Sequence, residues 1–222
     1  MFINKVVFLL LVLVPCMVMA QDKPVEKINW MSWDQAISLQ KTDRENYNKD
    51  QKANPPPKKL FLDIYTSWCG WCKKMDATTF KDKDVVKAMN QYYYPIKLDA
   101  EMPESISYNG HEFINPKPNP VKGRRGTHQL AASLLDNKMS YPSYVIMDEN
   151  TSRITIHKGY KKKADLLGIL GFFGTNQYLT YKNYVQQQKV PSVKDSRVPS
   201  SLNSNTKDGK VQQNSEPAQK NK

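Results

Sequence analysis

The pair Cys69 and Cys72 is the feature that most constrains this chain. The two cysteines stand in the segment Trp-Cys-Gly-Trp-Cys, directly behind an apolar run at residues 60–65. A two-residue gap lets the thiols close a small reversible disulfide. A structural disulfide stabilises a protein by closing a long loop of the unfolded chain, and this loop is too short to do so. The pair is therefore expected to do chemistry rather than to hold the fold together.

The N-terminal residues 1–20 have the pattern of a secretory signal peptide, with Lys5 ahead of an apolar run and modest residues ending at Ala20. The apolar run is too short for a permanent membrane span, so we expect no stable membrane insertion after the signal is removed. A lipoprotein signal is a minor alternative, because Pro15 rather than a small residue precedes Cys16. Export to the periplasm or to the outside of the cell would place the cysteine pair where disulfides persist.

Composition gives little support for a metal or for nucleic acid. The net charge of +12 is spread over dispersed lysines without a nucleic-acid motif, so it is expected to serve solubility or attraction to acidic partners. A zinc site would need two further Cys or His ligands at compact spacing. The three histidines are scattered instead and are expected at the surface, and they are His111, His128 and His157.

The length allows one domain of ordinary size with additions. We expect that domain at residues 21–188, followed by a tail at 189–222 that is too rich in Ser, Asn, Gln, Lys and Pro to order itself. Ser32 and Gln35 predict a capping box at the start of a helix, which should end before Pro55.

Further elements follow from local patterns. Apolar runs predict buried strands, and Asn109-Gly110 is a strong signal for a two-residue hairpin. The proline- and lysine-rich stretch 115–125 is expected to be an exposed loop. The other expected elements are strands at 60–65, 93–98, 143–147 and 153–157, helical stretches at 73–77 and 83–91, a short helix capped by Thr127 and running through Leu135, and a helix from Ala164 onward.

This order of elements resembles the exported, thioredoxin-like proteins of bacteria whose motif is Cys-Gly-Trp-Cys. The match is specific at residues 61–75, at Lys97-Leu98-Asp99 and at Tyr141-Pro142-Ser143-Tyr144-Val145. The resemblance implies an α/β chain with a thioredoxin-like fold, in which helices flank a central mixed sheet. It also implies an insertion at about 101–126, ahead of a strand that follows a cis Tyr141–Pro142 bond, although an X-Pro bond is ordinarily trans.

The candidate catalytic residues are Cys69, Cys72, Asp63 and Lys97. If Cys69 opens a helix, the unpaired N–H groups and the helix dipole favour its thiolate, which makes it the nucleophile and leaves Cys72 to resolve the mixed disulfide. Asp63 lies inside an apolar strand, where burial would raise its pKa and let it accept the proton of Cys72. The alternative is an aspartate that reaches solvent at the end of the strand. The resemblance supplies Lys97 as the partner of Asp63.

The candidate substrate-binding residues surround the pair. Trp68 and Trp71 are expected to offer an apolar contact surface to partner polypeptides, with ordinary packing as the alternative. Gly70 and Trp71 are expected to influence how far each redox state is stabilised. The resemblance implies that the backbone of Tyr141, beside Pro142, pairs with an incoming extended peptide as an added strand.

The sequence therefore predicts an exported thiol-disulfide oxidoreductase of the reductase or isomerase type, with reduction favoured over oxidation. It would act on protein thiols and disulfides, would be recharged by a membrane or soluble electron donor, and would need neither an organic cofactor nor a metal. Two alternatives stay open. One is a non-catalytic binding module that captures a partner through the insertion, and the other is a redox sensor whose disulfide state changes its affinity for one partner.

Overall fold

The computed structural model describes residues 27–118 and 126–189. The chain divides into two units, residues 1–181 and 182–222, and the described part of the second unit is the helical stretch 182–189. In chain order the elements are α1 (Trp33–Lys49), β1 (Lys59–Tyr65), α2 (Gly70–Ala77), a short 3-10 helix (Thr79–Lys81), α3 (Lys83–Tyr92), β2 (Tyr93–Asp99), β3 (Ile106–Tyr108), β4 (His111–Phe113), α4 (Gln129–Leu134), β5 (Ser143–Met147), β6 (Arg153–Lys158), α5 (Lys163–Gly174) and α6 (Gln177–Lys189).

Four strands form a mixed sheet in the order β2-β1-β5-β6. β1 and β2 run parallel, whereas β5 runs antiparallel to both of its neighbours, β1 and β6. The pairing of Ile64 with Ser143 places Pro142 at the C-terminal end of β1, from which the chain turns into α2. The expected α/β class with a mixed central sheet is confirmed, and this topology brings the cysteines and Pro142 to the same end of the sheet.

Each face of the sheet carries its own apolar core, because successive side chains of a strand point to opposite faces. Leu60, Leu62 and Ile64 of β1 pack with α1 and α4, while Phe61 packs with α2, α3 and α5 on the other face. Asp63 has the same parity as Phe61, so its carboxylate is directed to the face that α2 covers. Helices on both faces bury the centre of the sheet, and β1 has no exposed residue.

Several local predictions are confirmed. Ser32 accepts from the Gln35 N–H while the Gln35 side chain accepts from the Ser32 N–H, so the capping box is complete. Asn109 and Gly110 have φ values of 51° and 75°, and they join β3 to β4 in the predicted hairpin. Positive φ at both central residues suits the type I′ turn whose twist matches the strands.

One helix start and one histidine were predicted wrongly. The residue that caps α4 is His128 rather than Thr127, because the Nδ1 atom of His128 accepts from the Leu130 N–H at 3.2 Å. His128 is consequently buried and not at the surface. His111 is exposed as expected, and His157 is partly buried. The predicted helix from Ala164 is in fact two helices, α5 and α6.

The region predicted as an insertion, 101–126, contains the β3–β4 hairpin. Asn115 closes its base, since the Nδ2 atom donates to the carbonyls of Met102 at 3.1 Å and Gly126 at 2.8 Å. The signal segment 1–20, the stretch 119–125 and, beyond Lys189, the predicted tail lie outside the described residues. In the parts of the chain that are described, no helix is long and apolar enough to cross a membrane.

Candidate active site

Cys69 and Cys72 form a disulfide at the start of α2. Cys69 is the N-cap residue of the helix, and its Sγ atom accepts a hydrogen bond from the Cys72 N–H at 3.1 Å. The first N–H groups of a helix have no partner within it, and they carry the positive end of the helix dipole. When the pair is reduced, this geometry therefore favours negative charge on the sulfur of Cys69.

The two cysteines hardly differ in exposure, at 5% for Cys69 and 3% for Cys72. Solvent access alone would not tell which of them attacks a substrate. Their places in α2 do tell them apart, because Cys69 stands at the N-cap and Cys72 one turn into the helix. Gly70 is the first residue of the helix, and a Cβ atom there would meet nothing within 4 Å.

Asp63 is a buried acid on the sheet face that α2 covers. Its residue is 1% exposed, and its Oδ2 atom lies 3.1 Å from the Nζ atom of Lys97, its direct neighbour on β2. Burial raises the pKa of Asp63, and the Lys97 ammonium lowers it by a smaller amount, so that the pKa is about 6. The alternative of an aspartate that reaches solvent is thereby excluded. An acid that titrates near neutral pH can take up and release a proton under ordinary conditions.

Lys97 is surrounded by acids and by aromatic rings. Besides Asp63, its ammonium bonds the exposed Asp76 near the end of α2, and it lies 4.8 to 5.8 Å from the centres of three rings, which are those of Trp30, Tyr65 and Phe80. Burial alone would lower the pKa of Lys97, but the two carboxylates outweigh it and the pKa is raised. Lys97 and Asp76 also line a cavity of about 550 Å³, which gives water a path to the ammonium.

Tyr144 stands directly opposite Asp63 on β5. Its residue is fully buried, and neither its hydroxyl nor the Oδ1 atom of Asp63 has a hydrogen-bond partner among the described residues. Burial, followed by the charge of Asp63, raises the pKa of Tyr144. Two buried polar atoms on facing residues are thus left without a bond, which is an uncommon arrangement in a folded protein.

Trp68, directly before Cys69 in the chain, contacts Tyr141. Trp68 is 48% exposed, donates from Nε1 to the Glu101 carboxylate at 2.9 Å, and meets the ring of Tyr141 edge to face at 5.9 Å. The Tyr141–Pro142 peptide bond is cis, as the resemblance implies. Pro142 itself is buried, and its carbonyl accepts from the Gly159 N–H at 2.8 Å.

Trp71, between the two cysteines, contacts Tyr160 and Lys74. Trp71 is 56% exposed, so its ring is not packed into the core. The ring lies 5.4 Å from that of Tyr160, and the ammonium of Lys74 lies over both rings, 4.9 Å from the first and 5.2 Å from the second. Both tryptophans beside the cysteines are therefore available to another molecule.

Sequence reasoning missed five residues of this site, namely Lys74, Asp76, Glu101, Tyr144 and Tyr160. Asp76 and Lys74 carried a usable signal, because Asp76 lies four residues after Cys72 and Lys74 three residues after Trp71, each pair on one face of α2. The other three come from segments whose approach to the cysteines depends on the folded sheet. Within the described residues, no group of three His, Cys, Asp or Glu side chains is arranged to hold a metal ion.

Comparison with known proteins agrees with this architecture. A family model named Thioredox_DsbH, described as a protein of unknown function (DUF255), matches residues 14–109, which is less than half of the chain but includes β1, both cysteines and β2. The matched residues include the cysteine pair, the buried Asp63 and its partner Lys97. Over these residues the chain is similar to that family, and its fold is thioredoxin-like.

Similar sequences occur in much longer proteins. The thioredoxin-like chain is 34% identical over 64 residues to the thiol:disulfide interchange protein DsbD of Colwellia psychrerythraea, which covers 29% of this chain and 10% of that protein. It is 26% identical over 157 residues to the uncharacterized protein B0495.5 of Caenorhabditis elegans, covering 63% of this chain and 18% of that protein. The chain thus spans less than a fifth of the length of these relatives.

Among solved structures, a thioredoxin-fold protein from Helicobacter pylori is 14% identical, with a TM-score of 0.42 over 59% of this chain and 84% of that one. The fold assignment follows from the strand order, the cysteine pair and the cis proline described above. The matched family and the cysteine pair together support chemistry of the thiol-disulfide oxidoreductase type.

Proposed function

We propose that this chain is an exported thiol-disulfide oxidoreductase that exchanges disulfides with protein substrates and works as a reductase more than as an oxidase. The observation that carries the proposal is the hydrogen bond from the Cys72 N–H to the Sγ atom of Cys69 at the helix start. A backbone donor already directed at that sulfur is the arrangement that stabilises an attacking thiolate. The export signal and the predicted preference for reduction are parts of the proposal.

The exchange has two steps. The thiolate of Cys69 attacks one sulfur of a substrate disulfide, so that a bond forms between them and the other substrate sulfur leaves as a thiolate. Cys72 then loses its proton and attacks Cys69, which releases the second substrate thiolate and closes the disulfide of the protein. The substrate has gained two electrons and the protein has lost two. A membrane or soluble dithiol donor must reduce the protein again.

Asp63 is proposed to accept the proton that Cys72 loses in the second step. Its carboxylate is on the face covered by α2, and its pKa of about 6 lies close enough to neutrality for transfer in both directions. Lys97 holds the carboxylate at 3.1 Å and moderates the effect of burial on its pKa. The nearby cavity would let the proton exchange with water.

Substrate binding is proposed to use the exposed surface on both sides of the disulfide. Trp68 and Trp71 would contact the apolar part of a partner, with Gly70 between the cysteines leaving open space for it. The backbone of Tyr141, ahead of the cis Pro142, would pair with an extended segment of the substrate. A periplasmic or secreted location would keep such substrates in contact with the site.

The test is the redox midpoint of the Cys69–Cys72 pair in glutathione and dithiothreitol buffers, followed by tryptophan fluorescence, with Cys69→Ser as the control. A midpoint near about −270 mV would support a reductase, whereas about −120 to −180 mV would indicate an oxidant or isomerase. A wild-type protein without a reversible two-electron transition would overturn the catalytic proposal. Function that survived Cys69→Ser but was lost on altering the insertion would favour the binding module.

A further inference from the structure

The two tryptophans beside the disulfide have neighbours of opposite charge. Trp68 donates a hydrogen bond to the carboxylate of Glu101. Trp71 lies under the ammonium of Lys74, which also lies over the ring of Tyr160. A substrate that contacts both tryptophans would therefore meet a negative group at Trp68 and a positive group at Trp71.

The positive side carries several lysines from two elements. Lys73 and Lys74 lie on α2, and Lys161 and Lys162 directly follow Tyr160. The two segments touch, because the Lys161 N–H lies 3.4 Å from the Sδ atom of Met75 on α2. Each of these lysines lies within three residues of Trp71 or Tyr160 along the chain, and the rings of Trp71 and Tyr160 are in contact. Like charges gathered in these two segments repel one another unless a partner of opposite charge covers them.

These lysines keep their charge available. Within residues 27–118 and 126–189, Lys73, Lys74, Lys161 and Lys162 form no ion pair with a carboxylate. Two other lysines do have carboxylate partners: Lys163 pairs with Asp82 and Asp84, and Lys97 pairs with Asp63 and Asp76. By contrast, the four lysines that flank Trp71 and Tyr160 in the sequence have no carboxylate partner among the described residues, and they lie near an exposed tryptophan that a partner can cover.

We propose that Trp71, Tyr160 and Lys74, with Lys73 and Lys162 at the edge, form a docking surface for polypeptides that carry Asp or Glu next to their disulfide. The rings would cover apolar atoms of the substrate while the ammonium groups pair with its carboxylates. This inference rests on the proposed oxidoreductase function and adds the class of substrate. Charge complementarity at such a surface acts mainly on the rate of encounter and on the choice of partner.

The experiment compares three disulfide-linked reporter peptides that differ only in the residues flanking the cysteine, which are Glu, Gln or Lys. The reduced full chain is expected to react with the Glu peptide about fivefold faster than with the Gln peptide at low salt, as two exposed ion pairs would give. The Lys peptide should be the slowest. The preference should shrink as salt is added, because exposed charges are screened within about 10 Å at 0.1 M ionic strength.

Matched variants test which lysines cause the preference for the Glu peptide. The triple variant Lys73→Gln, Lys74→Gln, Lys162→Gln should bring the ratio of the Glu and Gln rates close to one, and Lys74→Arg should keep it. Lys87→Gln, an exposed and unpaired lysine on α3, should leave the ratio unchanged. Because each ratio is taken within one variant, a general change in the reactivity of Cys69 cancels. Equal rates for all three peptides in the wild type would overturn the docking surface while leaving the oxidoreductase in place.

A binding measurement separates the two proposals. Peptides in which Ser replaces the cysteine cannot react, and their binding is followed by the fluorescence of the exposed tryptophans. Tighter binding of the Glu peptide is expected, and it would support the surface even if no peptide were reduced, in which case the proposed activity alone would fail. Equal binding of the Glu and Lys forms would overturn the docking surface by itself.

Discussion

The carboxylate of Asp63 and the ammonium of Lys97 lie 3.1 Å apart on adjacent strands, and the carboxylate is almost completely buried. The attraction of the ammonium only partly offsets burial, which still raises the pKa of Asp63 to about 6. An exposed second acid, Asp76, shares the same ammonium. Asp63 is therefore destabilising as a carboxylate and useful as a group that gains and loses a proton.

The raised pKa of Asp63 makes the stability of the fold depend on pH. The pKa of Asp63 is 3.8 without perturbation and about 6 in the folded protein, so the folded state holds the proton more tightly. The free energy of unfolding should then fall as the pH rises from about 4 to about 6, and stay lower above that. Asp63→Asn removes the titration and should raise the free energy of unfolding by about 3 kcal/mol at pH 7, with no gain below pH 4.

Urea unfolding of the oxidised protein at pH 4, 5.5 and 7 measures this difference directly. Asp76→Asn is the matched control, because it removes an exposed carboxylate from the same lysine. A gain for Asp63→Asn that stayed the same at all three pH values would mean that the titration of Asp63 is not its source.

Asp63→Asn should also slow the second step of the exchange. Without the carboxylate, the proton of Cys72 has to pass to water, so a mixed disulfide on Cys69 should persist about tenfold longer or more at pH 7. The difference should shrink at alkaline pH, where Cys72 ionises without help. The measurement is the release of the second thiol from a preformed mixed disulfide as a function of pH.

The wild-type rate of that release should rise through pH 6, where Asp63 becomes able to accept a proton, and the Asn variant should lack this rise. The first step, attack by Cys69, serves as the internal control because Asp63 is not proposed to take part in it. Identical release profiles for the two proteins would remove Asp63 from the mechanism.

Much of this site could be predicted because its signals are local. An acid inside an apolar strand, helical residues behind the cysteines and the Asn109-Gly110 turn are each visible within a few residues, although the helix begins at Gly70 and not at Lys73 as predicted. Residues that meet only through the register of the sheet gave no such signal. Tyr144 faces Asp63 only because β5 runs antiparallel to β1 in one particular register.

The helix start at His128 was mispredicted for a different reason. Threonine is a frequent N-cap residue and histidine is not, so propensity favoured Thr127. Tertiary contacts decided otherwise. The ring Nε2 atom of His128 lies 3.1 Å from the Glu104 carbonyl, and the backbone N–H of His128 donates to the Ala100 carbonyl at 2.7 Å. A buried side chain fixed at both ring nitrogens outweighs an intrinsic preference of about 1 kcal/mol.

Two buried tyrosines provide a test of hydrogen bonding in the core. The hydroxyl of Tyr93 donates to the Leu170 carbonyl at 2.8 Å, whereas that of Tyr144 has no partner among the described residues. Tyr93→Phe should therefore lower the free energy of unfolding by about 1 kcal/mol, and Tyr144→Phe should raise it by a similar amount. Both rings remain in place, so packing changes little.

Urea unfolding at pH 7 measures both variants under the same conditions. A loss of stability in Tyr144→Phe would show that its hydroxyl has a partner in solution, and the Oδ1 atom of the facing Asp63 would be the first candidate. In that case the loss should be smaller in the Asp63→Asn background, because a neutral amide oxygen accepts a weaker hydrogen bond than a carboxylate does.

His128 should make the protein sensitive to acid. Its Nδ1 atom accepts from the Leu130 N–H and its Nε2 atom faces the Glu104 carbonyl, which assigns the proton of the neutral ring to Nε2. Burial lowers the pKa of His128 below its usual 6.5, even though Glu104 acts in the opposite direction. The stability that the neutral ring gives is present above about pH 6.5 and is lost as the pH falls through the lowered pKa.

His128→Asn keeps an acceptor at the helix start without a group that titrates in this range, so its free energy of unfolding should fall less between pH 7 and pH 5 than that of the wild type. The comparison belongs in the Asp63→Asn background, because Asp63 acts with the opposite sign between pH 4 and pH 6. His157, whose pKa burial also lowers, is present in both proteins and cancels. Equal slopes with and without His128→Asn in that background would show that His128 does not carry the effect.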